Sequence, residues 1–524
     1  MSAQDIPSHS DILIIGGGPA GSYAASVLAR EDHQVTVLER DHFPRYHIGE
    51  SMLPSCRPFM RFIGVEQKVI DFGFCVKVGA ALKFDHNKRE GYTDFIKEHP
   101  GNAAWNVTRA DFDDLLLKHA AENGAKVFEG TGVTSISFSA ENPEQPVSVD
   151  WKSDTGVTGT TTFKYLIDAS GRNGLMSTRY LKNRKFNKAL RNVAYWGYWT
   201  GQDMYAPGTH RENATWLESL TDETGWGWFI PLAGKVSVGV VMKEDFSKEK
   251  KAAAGLKGPE GNAKHYFNQL KFVPGVQKLL NKATFQGEVM SAGDYSYSAP
   301  VHSGPNFRII GDAGAFIDPF FSSGVHLAFN GGLTAASSIS AAIRGECTEE
   351  EAGRFHTERV GTSYTRYMMV VLAAYRQLTS QNEPVLSDVD EDNYDRAFEF
   401  IKPVIQGTAD TDPTITEERL QATLDFCEHA MAVTDPEMYE EVSKRIDPKY
   451  MANDGPVLSI EEAREIANGD EEVEMVLRRI QGRKAVESLY WEPNFRGEKF
   501  AGLSIRMERG NLGLNRVYAT PVAA

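Results

Sequence analysis

Cysteine is scarce in this chain of 524 residues: Cys56, Cys75, Cys347 and Cys427 are scattered and form no CxxC. Such usage argues against a disulfide framework and a cysteine-ligated metal, and points to a reducing, cytoplasmic compartment. No HExxH or His–carboxylate cluster at ligand spacing is present, so no metal is expected. No apolar run approaches the ~20 residues of a membrane-spanning helix. The first ten residues are polar, without a basic-then-apolar leader. Positive charge is in deficit: the formal net charge is −15, which argues against nucleic acid or an anionic membrane as partner. There is no internal repeat or low-complexity tract. What remains is ordinary globular composition on a chain long enough for one large core or two intimately joined ones.

The first motif lies near the start. Residues 11–15 (DILII) form a short β-branched run that leads into Gly16-Gly17-Gly18-Pro19-Ala20-Gly21. A helical pattern of small residues follows over 22–30, then a second strand over 34–38, ending at Glu39. Gly16 permits the tight turn, Gly18 lets backbone approach a pyrophosphate, and Gly21 lets helix and strand pack closely. Glu39 can accept ribose hydroxyls. This predicts a dinucleotide site, and the acid alone does not separate FAD from NAD.

Later segments add to it. Residues 106–115 (NVTRADFDDL) start a helix, with Asp111 near its N-terminus. Residues 163–167 form a strand ending in Asp168-Ala169-Ser170-Gly171. A late strand ends at Ile310 and turns at Gly311-Asp312. Pro319 and Ser322-Ser323-Gly324 then lead into a helical pattern of small and apolar residues reaching about Ile343. Ser and Gly ahead of such a pattern are N-cap chemistry. A helix N-terminus presents free N–H groups that can hold an anion, although an ordinary capped helix would read the same.

Between these pieces, residues 47–54 (HIGESMLP) read as a loop, with Pro54 opening the next helix. Residues 74–84 alternate as one strand, and the pattern alone would point Lys77 to solvent. Residues 193–199 and 235–242 suit a second, antiparallel sheet over about 185–300 that covers a substrate. Trp226 and Trp228 share one face of a strand, a pattern that core packing also produces. From residue 348 charges and prolines rise and helices dominate. Residues 364–378 carry an amphipathic stripe that should dock on the core. Residues 408–418 read as an acidic surface loop, and 510–524 show no clear period.

A strand-borne GxGxxG, an RxxFDxxL helix, a D-x-S/A-G strand end and a late GDA turn, in that order, resemble the FAD-dependent aromatic hydroxylase superfamily over residues 10–345. No second GxGxxG follows a strand, so no separate nicotinamide domain is expected. The resemblance implies an α/β fold, with a Rossmann-like FAD-binding domain and its interleaved antiparallel sheet over 1–347 and a mainly helical region over 348–524. It implies FAD contacts at Gly16, Gly18, Ala20, Gly21, Glu39, Arg40, Arg45, Arg109 and Asp312. Asp168 is either a contact or a cap of its own turn. Residues 47–54, with Glu50 and Ser51, become a strap over the flavin.

Residues 226–231 read WxWxIP, which looks like the flavin-dependent halogenases and not their hydroxylase relatives. Phe316, Pro319, Ser322 and Gly324 match the FxxPxxSxG of phenol-type halogenases. Gly49-Glu50-Ser51 matches the strap, and Lys77 sits where the family's catalytic lysine falls. The similarity extends to fungal, radicicol-type halogenases of phenolic polyketides. It implies a halide at Ser323 and Gly324, with Gly324 also against the flavin. FAD reduced by a separate flavin reductase, dioxygen and chloride would yield HOCl. HOCl would reach Lys77, whether held by an ammonium or carried as a chloramine. Trp226 and Trp228 would be the barrier between flavin and substrate.

In the tryptophan halogenases a glutamate precedes the Ser-Thr/Ser-Gly triplet. Phe321 stands there in this chain, which favours a phenol able to activate its own ring. His47 and His326 are candidate bases by chemistry, each equally readable as a structural histidine. The implied partners are a phenolic natural product, free or tethered to a carrier protein, to be chlorinated or brominated, and the reductase. Two alternatives share the motifs. One is an FAD monooxygenase that hydroxylates an aromatic acid, with Lys77 and the tryptophans structural. The other is a flavin-binding protein without turnover, against which the intact Lys77 argues.

Overall fold

Every position from Ile12 to Ile15 is buried, as expected of a strand covered on both faces. This strand is central to the first of two large sheets in the computed structural model. The structure describes residues 5–86, 89–97, 99–379, 404–411, 436–451, 458, 460–481 and 498–517.

In chain order, β1 (His9–Ile15) runs into the glycine turn and α1 (Pro19–Ala29), and β2 (Val35–Leu38) returns parallel to it. Beyond the strap come β3 (Cys75–Lys77), β4 (Gly79–Lys83), β5 (Gly91–Asp94) and β6 (Ala104–Asn106), then α2 (Arg109–Glu122). β7 (Lys126–Phe128), β8 (Thr131–Phe138), β9 (Pro146–Ser153) and β10 (Thr158–Asp168) follow. Next are β11 (Lys185–Thr200), β12 (Thr215–Ser219), β13 (Gly225–Leu232), β14 (Lys235–Lys243) and β15 (Thr284–Ser298). β16 (Ser303–Gly304) and β17 (Phe307–Ile309) lead to α3 (Gly324–Ile343) and α4 (Glu349–Leu378). β18 (Leu503–Arg506) and β19 (Gly513–Arg516) close a late hairpin, and its second strand falls in the stretch 510–524 that shows no clear period.

The first sheet has the order β16-β17-β10-β1-β2-β7 and is parallel through its centre, with β9 added antiparallel on β10 and β8 antiparallel on β9. Separate apolar clusters cover it, one built on Tyr23, Phe112 and Phe329 and the other on Phe128, Trp151 and Phe307. The second sheet has the order β15-β11-β14-β13-β12-β4-β5. It is antiparallel except where β12 runs beside β4, and it reaches back to residues 79–94, beyond the stretch expected. One of its clusters holds Trp226, Trp228 and Phe320 together with Tyr364, Val371 and Leu378 of α4. The stripe over 364–378 therefore docks on this sheet.

Two expectations need correction. Residues 74–84 are two strands: β3 pairs with β6, and β4 joins the second sheet. The register puts Lys77 opposite the small Ala104, which leaves room for the lysine inside, so Val76 is the exposed residue, at 46%. Residues 408–411 form a helical turn with Asp410 and Thr411 buried, so no acidic surface loop begins there. Residues 412–418 lie outside the described residues. Among the described residues no helix is long and apolar enough to cross a membrane.

Candidate active site

The glycine turn is a steric requirement. Gly16 has φ +103°, and a Cβ on it would lie 2.3 Å from the carbonyl oxygen of Ala169. A Cβ on Gly21 would lie 2.0 Å from the carbonyl oxygen of Gly16. At Gly18 the nearest atom to an added Cβ is Arg45 Nη2, at 3.5 Å, so the space beside it is open. Glu39, at the end of β2, accepts the N–H of Gly17 at 2.6 Å and that of Asp41 at 2.8 Å. These bonds fix the carboxylate and leave each oxygen a further lone pair.

A cavity of about 650 Å³ opens against this turn, within the usual range for a cofactor site. Gly16, Gly18, Ala20, Glu39, Arg40 and Arg45 line it, as do Glu50, Ser51, Arg109, Asp312, Trp226, Trp228 and Gly324. Of the expected catalytic, cofactor-binding and halide-binding residues, Gly21, Lys77 and Ser323 do not. Asp168 does not line it either: its two oxygens accept the N–H groups of Ser170 and Met176, so it caps its own turn. Burial raises the Asp312 carboxyl above its usual range, against the charges of Arg172, Arg109 and Arg184.

Asp113, the acid of the RxxFDxxL motif, organises the strap, whereas the sequence singles out Asp111 near the helix N-terminus. Arg109 grips it with two bonds, Nε to Oδ1 at 2.8 Å and Nη2 to Oδ2 at 3.0 Å, and Arg45 Nη1 adds a third at 2.8 Å. Burial alone would raise the Asp113 carboxyl; Arg109 and Arg45 hold it below the usual range. Arg109 Nη1 donates to the carbonyls of Ile48 and Gly49 at 3.0 and 3.2 Å, which ties the strap to α2. Ser51 then bridges to Asn106, so the strap lies along β6. The i, i+4 spacing of Arg109 and Asp113 was the available signal.

Lys77 lies beyond the strap, 2% exposed. Its Nζ donates to Ser51 Oγ at 2.8 Å and to the carbonyl of Met52 at 3.0 Å, and sits 5.1 Å from the Phe95 ring centre. Burial brings its pKa down to about 7. The solvent-facing placement read from the pattern alone does not occur.

Trp226 and Trp228 stand side by side on β13, ring centres 5.9 Å apart. Trp226 Nε1 donates to the Tyr375 hydroxyl, which donates to the buried Asp318. Trp228 Nε1 donates to Ser237. Neither Tyr375 nor Asp318 was singled out in the sequence, because the pairing spans strand, turn and α4. At the start of α3, Ser322 is left-handed at φ +57°. Ser323 makes no side-chain cap, contrary to expectation, and its buried Oγ has no hydrogen-bond partner among the described residues. Phe321 is buried against Phe320, ring centres 4.9 Å apart.

His47 lines the cavity, and burial and the Arg109 charge lower its pKa to about 4. His326 is locked between Ser55 Oγ at 2.9 Å and Asp410 Oδ2 at 2.8 Å, away from solvent.

These features fit a flavin dinucleotide. The open face at Gly18 admits a pyrophosphate, the fixed Glu39 carboxylate suits a ribose, and aromatic rings wall the same cavity.

The sequence matches the family model described as tryptophan halogenase over residues 11–99 and 95–399. It is 55% identical over 524 residues to the flavin-dependent halogenase armH1 of Armillaria mellea, covering 98% of this chain and 99% of that one. It is 44% identical over 541 residues to the sulochrin halogenase gedL of Aspergillus terreus, covering 99% and 95%. Among solved structures it resembles CmlS, a flavin-dependent halogenase, with a TM-score of 0.65 and 27% identity, over 75% of this chain and 72% of that one. The myxobacterial chondrochloren halogenase CndH gives a TM-score of 0.64 and 26% identity, over 82% and 99%.

Proposed function

The chain belongs to the flavin-dependent halogenases, and on that premise we propose that it chlorinates an electron-rich phenolic natural product, with Lys77 presenting the oxidised halogen to the ring. The observation that carries this reading is an amine buried in β3, with a pKa near 7, one hydrogen bond from a residue of the cavity wall. The phenol is supported by Phe321, which puts an apolar ring where a carboxylate would otherwise assist a less activated substrate, and by the relative that halogenates sulochrin.

Bound FAD, once reduced by a separate reductase, supplies the activation of dioxygen. The amides of Ser323 and Gly324, at the positive end of α3, hold the halide, and the Ser323 Oγ, without a partner among the described residues, adds a donor. Trp226 and Trp228 keep the aromatic substrate from the flavin and limit water in the passage. Near its pKa, Lys77 is divided between amine and ammonium. The ammonium hydrogen-bonds HOCl, whereas the amine takes chlorine from it with loss of water. The phenol ring then forms the C–Cl bond and gives up its proton.

The test is an aerobic assay with a flavin reductase, chloride and a panel of resorcylates and other phenols, read by mass spectrometry. A product that gains chlorine and loses hydrogen is expected. Lys77→Ala should bind FAD and form no such product. Chlorination retained in that variant removes Lys77 from the mechanism, and a product that gains only oxygen overturns the assignment.

A further inference from the structure

Tyr198, on β11, has one hydroxyl proton, and it is donated to Glu50 Oε1 at 2.7 Å. Its oxygen lies 3.2 Å from the hydroxyl oxygen of Tyr46. The Tyr46 oxygen in turn accepts the indole N–H of Trp196 at 2.7 Å. An indole N–H can only donate, and each phenol has one proton to give. With the Tyr198 proton committed to Glu50, the proton between the two phenols belongs to Tyr46. The chain therefore has one polarity, from Trp196 through Tyr46 and Tyr198 to Glu50. Tyr46, at the outer end, is 53% exposed and Glu50, at the inner end, is 2% exposed, and both line the cavity.

We propose that Tyr46 and Tyr198 form a proton relay that recharges Glu50 from solvent, and that Glu50 delivers protons to the flavin in the cavity. This rests on a flavin occupying that cavity and on neither the aromatic substrate nor the role of Lys77. The balance is simple. Because Oε1 accepts from Tyr198, the proton that Glu50 carries sits on Oε2; that O–H breaks and its proton passes to a basic atom of the cavity's occupant. The carboxylate takes the Tyr198 proton, Tyr198 takes that of Tyr46, and Tyr46 takes one from water. One proton moves inward and no electron moves.

The groups that bear on Glu50 are Tyr198 from β11, Ser237 and Lys235 from β14, and Arg109 from α2. Burial raises the carboxyl above its usual range, and these four oppose it. Lys235 Nζ lies 4.2 Å from the Tyr198 ring centre, and burial and the Glu50 charge keep that phenol protonated. Tyr198 therefore passes a proton on and does not hold a negative charge.

The test uses the holoenzyme with FAD bound and no aromatic substrate. Bound FAD is reduced anaerobically and mixed with oxygenated buffer in H2O and in D2O, over a pH series, while absorbance is followed. Tyr198→Phe keeps the ring and removes the relayed proton. The proton-dependent phase should slow by about 100-fold or more in Tyr198→Phe and in Glu50→Gln, and the shape of its pH profile should change. Tyr46→Phe should slow the same phase, and a thermal melt and flavin titration of that variant record separately the cost of leaving the Trp196 N–H without its acceptor. Infrared difference spectra on photoreduction should show a protonated-carboxyl band that Glu50→Gln lacks. Unchanged rates and isotope effects in both tyrosine variants overturn the relay. Flavin loss in Tyr198→Phe beside unaltered kinetics in Tyr46→Phe also overturns it, since the chain would then only fasten the strap. A failed chlorination assay would bear on the substrate reading and leave this outcome untouched.

Discussion

The Nζ of Lys77 lies 2.8 Å from Ser51 Oγ, and Ser51 lines the flavin-sized cavity while Lys77 does not. The strap is thus a wall with the amine on its far side. Anything that moves the strap changes both the cavity and the lysine's surroundings, and the first two predictions follow from that coupling.

Lys77 should cost the fold stability in a pH-dependent way. Its unfolded pKa is 10.5 and its folded value is about 7. Between those values the unfolded chain binds a proton that the native chain does not, so stability rises with pH across the window. Below about pH 7 both states are protonated and the burial cost is complete. Lys77→Met should therefore be more stable than wild type near pH 6, by an amount on the order of a few kcal/mol, with the gap closing toward pH 10. Denaturant unfolding at several pH values measures this, and a gap independent of pH would refute it.

Asp113→Ala should loosen the strap. It leaves the guanidiniums of Arg109 and Arg45 without their carboxylate in a largely buried place, a loss of about 3–5 kcal/mol. Flavin affinity should fall with it, because Arg109 would no longer be aimed at the Ile48 and Gly49 carbonyls. A thermal melt and a flavin titration read the two effects, and full affinity in the variant would show that the strap is held some other way.

What was legible in the sequence was whatever has a local period. The glycine turn, the Arg109 helix, α3 and the tryptophan pair each declare themselves within about 20 residues, the span over which spacing fixes geometry. What was not legible was set by partners far along the chain. Lys77 is inside because β6 offers Ala104 opposite it, and 74–84 divides because two different sheets claim its halves. Tyr46 and Tyr198 are 152 positions apart and His326 and Asp410 are 84 apart. No pattern within one segment announces such contacts.

Asp410 illustrates the cost of that blindness. It accepts from His326 and from Arg366 Nη1, the latter at 3.0 Å, and from Ser363 at 2.6 Å. Burial would raise its carboxyl, but His326, Arg366 and Arg359 hold it below the usual range. The stability it contributes is present above the unfolded carboxylate pKa and is lost as pH falls through the folded value. Asp410→Ala should cost about 3–5 kcal/mol at neutral pH and flatten the acid limb of the stability profile. An acid limb as steep as wild type's would place the titration elsewhere.

Gly16→Val should abolish flavin binding. The substituent would meet the Ala169 carbonyl oxygen, and a left-handed φ is costly for a β-branched residue. Gly21→Ala is the finer probe, because one methyl group is enough to separate α1 from the turn. Both variants should purify with little bound FAD. A yellow Gly16→Val protein with wild-type flavin content would mean that the turn does not carry the pyrophosphate.

Phe321→Glu tests whether a carboxylate alone would turn this site toward a free indole. Phe321 packs edge-on to Phe320, whose ring also meets Trp226 edge-on at 4.9 Å and stacks on Phe84 at 5.8 Å. A glutamate there enters an apolar cluster, where an ionised carboxylate is strongly disfavoured and the group takes a proton instead. A neutral acid lends no charge to a developing cation on a ring. The lost aromatic packing and the buried polar group should together cost a few kcal/mol. The expected outcome is a lowered melting temperature, weaker phenol chlorination and no chlorinated tryptophan. Efficient tryptophan chlorination by a variant as stable as wild type would show that the pocket already suits an indole, and would withdraw Phe321 as support for a phenolic substrate.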